Sequence, residues 1–380
     1  MLLDGILIAD FSQFLSGPSA GLRLADLGAE VIKFERESTG DICRSLYVSD
    51  TKVEGESTIF HAINRNKKSF TVDLKTPAGL KKAKKIIAAA DILIHNFRPG
   101  VMESLGLSYE ETSAVRPEII YAEISGYGTA GPWRDRPGQD LLVQAVSGLT
   151  FLSGQKKDPP VPMGVSVSDI YSGAHLVQGI LAALYQKNKT GKGAKVRVSL
   201  LESLLDFQFE VITCYYNNGH QLPVRSEINN ANAFVAAPYG IYKTKDGYLA
   251  LAMNSIPVLG ELLKCPPLLL YTDSKQWFSK RDEIKSILSA HLKTQSTRSW
   301  LDILEPADIW TAEVLDYEKL TDHPGYEGLE MEQVVFFGNG FKMKTTRCPI
   351  RVDGKRLTSP MGAPSLGEHN VEIEKRFGLT

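Results

Sequence analysis

The stretch ILIADFSQFLSGPSAGLRLADLGAEVIKFE, residues 6–35, decides the fold. Residues 6–11 form a largely apolar run of strand length, and the Gly17-Pro18 pair breaks the chain into a turn. An amphipathic stretch over residues 19–27 reads as a helix that Gly28 stops, and residues 30–34 read as a second strand. Strand, turn, helix and strand make the opening unit of a parallel α/β sheet. The same rhythm continues outward. Residues 70–74 alternate like a strand, and Pro77 opens a helix reaching residue 90, where a first-turn proline lacks only an N–H that had no partner. Residues 92–95 and 119–124 supply two more strands. The expected fold is a Rossmann-like, doubly wound α/β domain.

Residues 125–140, SGYGTAGPWRDRPGQD, hold four glycines and two prolines and form a loop long enough to suggest function. A helix begins at 141–146. An apolar helix over 172–185 ends in the solvated run QKNKTGKG, and a strand follows at 194–200. The large domain is expected over residues 1–200, completed by an amphipathic helix within 341–380. A linker over 201–225 leads to a smaller α+β domain over 226–340, with a turn at Lys245-Asp246-Gly247 and charged helices over 277–304.

The 380 residues carry 43 Lys and Arg against 44 Asp and Glu, a net charge of −1, so no basic field points to nucleic acid or a membrane surface. An anionic ligand therefore needs a local cluster. The four cysteines, Cys43, Cys214, Cys265 and Cys348, are widely separated and read as free thiols of a reducing compartment. The N-terminal residues lack the basic and small-residue marks of a signal peptide, and no apolar run approaches the roughly 20 residues that span a bilayer. A cytoplasmic protein is expected. No histidine spacing suggests a metal site.

The first turn imitates a dinucleotide-binding unit, with Glu35 placed where a ribose-binding acid would stand, but SQFLSGPSAG lacks the GxGxxG glycines that let a backbone approach pyrophosphate. Basic residues follow the strand ends: Arg36 and Arg44, then Lys67, Lys68 and Lys75, then Arg98. Ligands of open α/β sheets bind outside the carboxyl ends of strands, so these residues either hold phosphates or form a solvated surface. Asp169 lies near the start of the apolar helix. It is either an N-cap or an ionised nucleophile toward an activated acyl group. Asp140 is equally ambiguous.

Six ordered motifs carry a resemblance: LADLGAEVIKFE (24–35), NRNKKSFTVDLKTPAG (64–79), DILIHNFRPG (91–100), SGYGTAGPWRDRPGQDLLVQAVSG (125–148), VSDIYSGAHLVQGILAALYQKNKTGKG (167–193) and PSLGEH (364–369). In this series the chain resembles the family III coenzyme A transferases, which include formyl-CoA transferase, carnitine-dehydratase-like proteins and α-methylacyl-CoA racemases. The middle of the chain matches mainly at APYGIYKTKDG (237–247). The resemblance implies an interlocked homodimer, no prosthetic group, and acyl-CoA and carboxylate substrates. It assigns Asp169 as the nucleophile, forming an aspartyl anhydride and then a thioester. Its CoA contacts fall on Leu15, Ser16, Arg36, Val72, Asp73, Leu74, Lys75, Asn96, Phe97, Arg98, Pro137, Gly138, Gln139 and Asp140.

Three departures separate the chain from formyl-CoA transferase. Leu15 replaces that enzyme's glutamine, Ser104 replaces a CoA-contacting arginine, and the glycine run of its small domain is absent. Where the racemases carry a histidine this chain has Gln139, which cannot move a proton at neutral pH. The expected activity is CoA transfer from an acyl-CoA to a carboxylic acid. A 2-methylacyl-CoA racemase and a non-catalytic acyl-CoA-binding protein are the alternatives.

Overall fold

Six short strands, the four inner ones mostly buried and the two edge strands more polar and more exposed, form one sheet in a computed structural model that describes residues 1–46 and 51–379. The strands are β1 (Leu7–Asp10), β2 (Glu30–Glu35), β3 (Lys68–Thr71), β4 (Ile92–His95), β5 (Ile120–Ser125) and β6 (Ala194–Ser199). Their order is β3-β2-β1-β4-β5-β6, and every pairing is parallel. Strands buried on both faces read as continuous apolar runs, which is why 6–11 and 92–95 are legible without alternation. The strand order reverses between β1 and β4, and that is where a doubly wound sheet opens a crevice for ligand.

The connecting helices are α1 (Ser16–Asp26), α2 (Thr58–Asn64), α3 (Pro77–Ala89), α4 (Tyr109–Val115), α5 (Asp140–Ser147), α6 (Val167–Thr190) and α7 (Leu200–Phe207). Two begin earlier than the sequence suggests. Helix α1 starts at Ser16 because Pro18 falls in the first turn, where a proline costs no hydrogen bond. Helix α6 starts at Val167 and runs through the polar QKNKT to a left-handed Gly191, since glutamine and lysine are good helix formers. No helix among the described residues is long and apolar enough to cross a membrane.

The chain divides into two compact units. The first comprises residues 1–143, 166–207 and 330–380. Its core stacks Phe11 on Phe34 with ring centroids 4.1 Å apart, and Phe70 meets Phe34 edge-on. The segment around 367–377 closes the open edge of β3. Asn370 Oδ1 accepts from Thr71 N at 2.9 Å, its Nδ2 donates to Thr71 Oγ1 at 2.7 Å, and Gly367 N donates to Ser69 Oγ at 2.9 Å. An edge strand's unpaired N–H groups are thus satisfied by side chains and loop instead of another strand.

The second unit comprises residues 144–165 and 208–329. It contains a three-stranded antiparallel sheet of Gly240–Lys243, Tyr248–Leu251 and Thr311–Glu313, with Tyr248–Leu251 in the middle. Helices Arg281–Leu292 and Thr297–Leu304 pack apolar faces on it around Trp300, which is buried and donates its indole N–H to Leu292 O at 2.8 Å. Asp246 of the expected turn accepts from Thr297 N at 2.8 Å.

Candidate active site

The turn from β1 into α1, residues 11–16, sits at the switch point and is clamped from four sides. Asp10 accepts from the N–H of Ser12 at 2.9 Å and also from its hydroxyl. Asn96, just past β4, accepts from Gln13 N at 2.8 Å and donates to Gln13 O at 2.7 Å and Ser16 Oγ at 3.3 Å. Lys33 donates to Ser12 O at 2.9 Å, and Asp41 accepts from Phe14 N at 3.0 Å. Phe14 holds a left-handed φ of 68°, a costly conformation for a residue with a Cβ. The kink delivers Leu15 and Ser16, both buried, to the start of α1.

Helix α6 crosses α1 closely at Gly173. A Cβ there would stand 2.3 Å from Ser19 Oγ and 2.8 Å from Ser16 O, so no side chain fits. The crossing brings Asp169, in the first turn of α6, beside Ser16. The Asp169 side chain is buried beside the Ser16 hydroxyl, and its Oδ2 has no hydrogen-bond partner among the described residues. Burial, helped by the neighbouring Asp140 carboxylate, pushes the Asp169 carboxyl up to about 7, while the Ser16 hydroxyl pulls the other way.

Asp140 is positioned by α5 and accepts at Oδ1 from both Ser168 N, at 2.8 Å, and Ser168 Oγ, at 2.7 Å. It therefore caps the N-terminus of α6 from 28 residues away. Gln139 in turn caps α5, accepting from Leu141 N at 3.2 Å. Gly126 and Gly138 touch backbone to backbone, where either Cβ would come within 2.7 Å of the other's Cα, and this folds the long loop back onto the end of β5.

The expected CoA contacts fall along one rim. Glu35 and Thr71 are in register, so Arg36 and the segment Val72, Asp73, Leu74 and Lys75 leave the sheet side by side. Arg36, Lys75 and Arg98 are exposed, and no ion-pair partner engages their side chains among the described residues. The other three basic residues at strand ends are committed internally. Arg44 is tied to Glu35, Glu56 and Pro364 O, Lys67 to Asp10, Asn64 and Pro18 O, and Lys68 to Glu30 and Glu372. Val72 belongs to the apolar core, which leaves only its backbone for a ligand. Phe97 is half-buried, whereas Pro137, Gly138 and Gln139 are exposed.

Sequence reasoning missed Lys33, Asp41, Ser168 and Gly173. A lysine inside the apolar run VIKF, fully buried here, was the available signal for Lys33. The others act through partners distant in sequence and leave no local trace.

A parallel sheet in the 3-2-1-4-5-6 order, with a buried carboxylate beside its switch point, defines a doubly wound α/β protein. The chain belongs to CoA-transferase family III, whose family model matches residues 3–370. It is 32% identical over 381 residues to human succinyl-CoA:glutarate CoA-transferase, covering 98% of this chain and 85% of that protein. It is 31% identical over 384 residues to acetyl-CoA:oxalate CoA-transferase of Acetobacter aceti, covering 98% and 95% of the two chains. Among solved structures, a CaiB/BaiF family protein from Brucella suis superposes with a TM-score of 0.84 at 29% identity over 99% of each chain.

Proposed function

We propose that Asp169 is the nucleophile in a transfer of CoA between an acyl-CoA and a carboxylic acid. The observation that carries this is the buried Asp169 carboxylate at the switch point, whose Oδ2 is left unpartnered. An Asp169 oxygen attacks the thioester carbonyl; the C–S bond breaks and CoA leaves as thiolate, giving a mixed anhydride. The thiolate then attacks the aspartyl carbonyl, which releases the donor as a free carboxylate and leaves CoA on Asp169 as a thioester. An acceptor carboxylate attacks that thioester, and the released thiolate takes the new acyl group from the second anhydride. Each step exchanges one anion for another, so no general base is needed. The N-terminus of α6 and the Ser16 hydroxyl favour the charged carboxylate by about 0.3–1 kcal/mol for the helix end alone.

The activities for which the relatives are named pair succinyl-CoA with glutarate and acetyl-CoA with oxalate. They support short mono- and dicarboxylates as the substrate class here. A panel of such acyl-CoA donors against carboxylate acceptors, read by mass spectrometry, tests that class. Incubation with acyl-CoA and hydroxylamine should convert Asp169 to its hydroxamate, located by peptide mass. Wild-type transfer by Asp169→Ala would remove Asp169 from the reaction and leave a different nucleophile to be found.

A further inference from the structure

The turn over residues 11–16 is bent against the preference of Phe14, and its bend is held from beneath by two charges that have no place in the chemistry. Lys33 and Asp41 are both fully buried, with Nζ and Oδ2 2.6 Å apart. Each also grips the turn: Lys33 donates to Ser12 O at 2.9 Å, and Asp41 accepts from Phe14 N at 3.0 Å, on the two sides of Gln13. Asp41 Oδ1 accepts from Cys43 N as well, at 2.9 Å, so the pair is anchored in the segment that follows β2. We propose that the Lys33–Asp41 ion pair is a positioning device, which holds the left-handed kink at Phe14 so that the Ser16 hydroxyl is presented to Asp169.

A buried ion pair is a poor way to stabilise a fold, because desolvation offsets most of the attraction. The charged groups facing this one are Asp10, Glu35 and Lys67, which together with the pair form an alternating cluster. What the pair supplies beyond stability is direction. It puts one donor and one acceptor on successive peptide groups of a turn whose geometry is otherwise unfavourable. The consequence for Asp169 is specific. The hydroxyl of Ser16 draws its carboxyl downward against burial and Asp140, so a slackened turn lets it drift upward. Fewer enzyme molecules then carry an ionised nucleophile at neutral pH. The proposal rests on Asp169 as the reacting group, and hydroxamate trapping on the wild-type enzyme judges that premise separately.

The test is a cycle on the full-length enzyme. The neutral double substitution Lys33→Met with Asp41→Leu removes both grips without stranding a charge. It should leave the CoA dissociation constant within about threefold while kcat falls by about tenfold to a hundredfold, as expected for a misplaced reacting group. The acid limb of the kcat/KM profile should move to higher pH. Ser16→Ala should shift the limb the same way, and combining it with the double substitution should add little further shift. Lys33→Met with Asp41→Asn, which keeps an acceptor for Phe14 N, should recover part of kcat. If the Leu variant does not fold, Asp41→Asn takes its place in the same cycle. An unmoved acid limb, or shifts that simply add, would show the pair to be structural only.

Discussion

Asp169 is held where its own charge is unfavourable. Its carboxyl, ordinarily near 3.8, stands at about 7 in the folded protein, so between those values the native state binds a proton that the unfolded chain has released. The contribution of this one group to stability therefore falls as pH rises from 4 to 7, by at most about 4 kcal/mol if the whole rise is realised. Asp169→Asn removes that penalty. Its melting temperature should exceed the wild type's by a few degrees at pH 8 and by little at pH 4.5. Scanning calorimetry that finds no pH-dependent gap would contradict the burial argument. With Asp169 as the proposed nucleophile, kcat/KM should climb with pH through about 7 and level off above it. Gln139 bears on the choice between activities. It serves as a cap on Leu141 N and cannot titrate, which leaves no histidine at this position for racemisation. Incubating a 2-methylacyl-CoA in deuterated water should give slow α-deuterium uptake relative to CoA transfer, and the reverse ranking would favour the racemase.

Elements carry the site by crossing closely. Helices α1 and α6 meet over Gly173, and Gly173→Ala forces a methyl into Ser19 and the Ser16 carbonyl. Overpacking of this kind costs about 1–3 kcal/mol, and here it should also part Ser16 from Asp169. Thermal melts should show the lower stability, and transfer assays a kcat reduced more than CoA affinity. The rim of strand ends makes a separate prediction. Arg36, Lys75 and Arg98 are the exposed basic groups there, so each alanine variant should weaken CoA binding by about 1–3 kcal/mol, and wild-type affinity should fall as salt is raised. Three unchanged dissociation constants by calorimetry would move the phosphates elsewhere. Most strands and both crossing helices were legible in sequence from apolar runs and from the glycines and prolines that punctuate them. The starts of α1 and α6, where the site lies, were read three and five residues late, at 19 for 16 and 172 for 167. Local pattern could not place them. Pro18 reads as a breaker when it is only a first-turn residue, and α6 is capped by Asp140, far away in the chain.

At the scale of the molecule, the first unit is assembled from three stretches of chain, which leaves it after residue 143 and again after 207. Helix α6 presents Ile170, Leu181 and Tyr185 to solvent, exposed by 51, 37 and 64%. From these features and the family resemblance we infer a homodimer with threaded subunits, in which a second copy covers such surface. Threaded chains cannot part without unfolding, so light scattering should show no folded species of monomer mass on dilution. The contacts of residues 367–370 with β3 have a consequence during synthesis. A ribosome must add about 300 residues after Thr71 before Asn370 can reach it, which at about 5–20 residues per second takes roughly 15–60 seconds. Through that interval β3 leaves the exit tunnel with a raw edge, open to strand pairing with neighbouring nascent chains. Chaperone demand on the polysome, rather than the stability of the finished enzyme, should then set how much of this protein a cell can make.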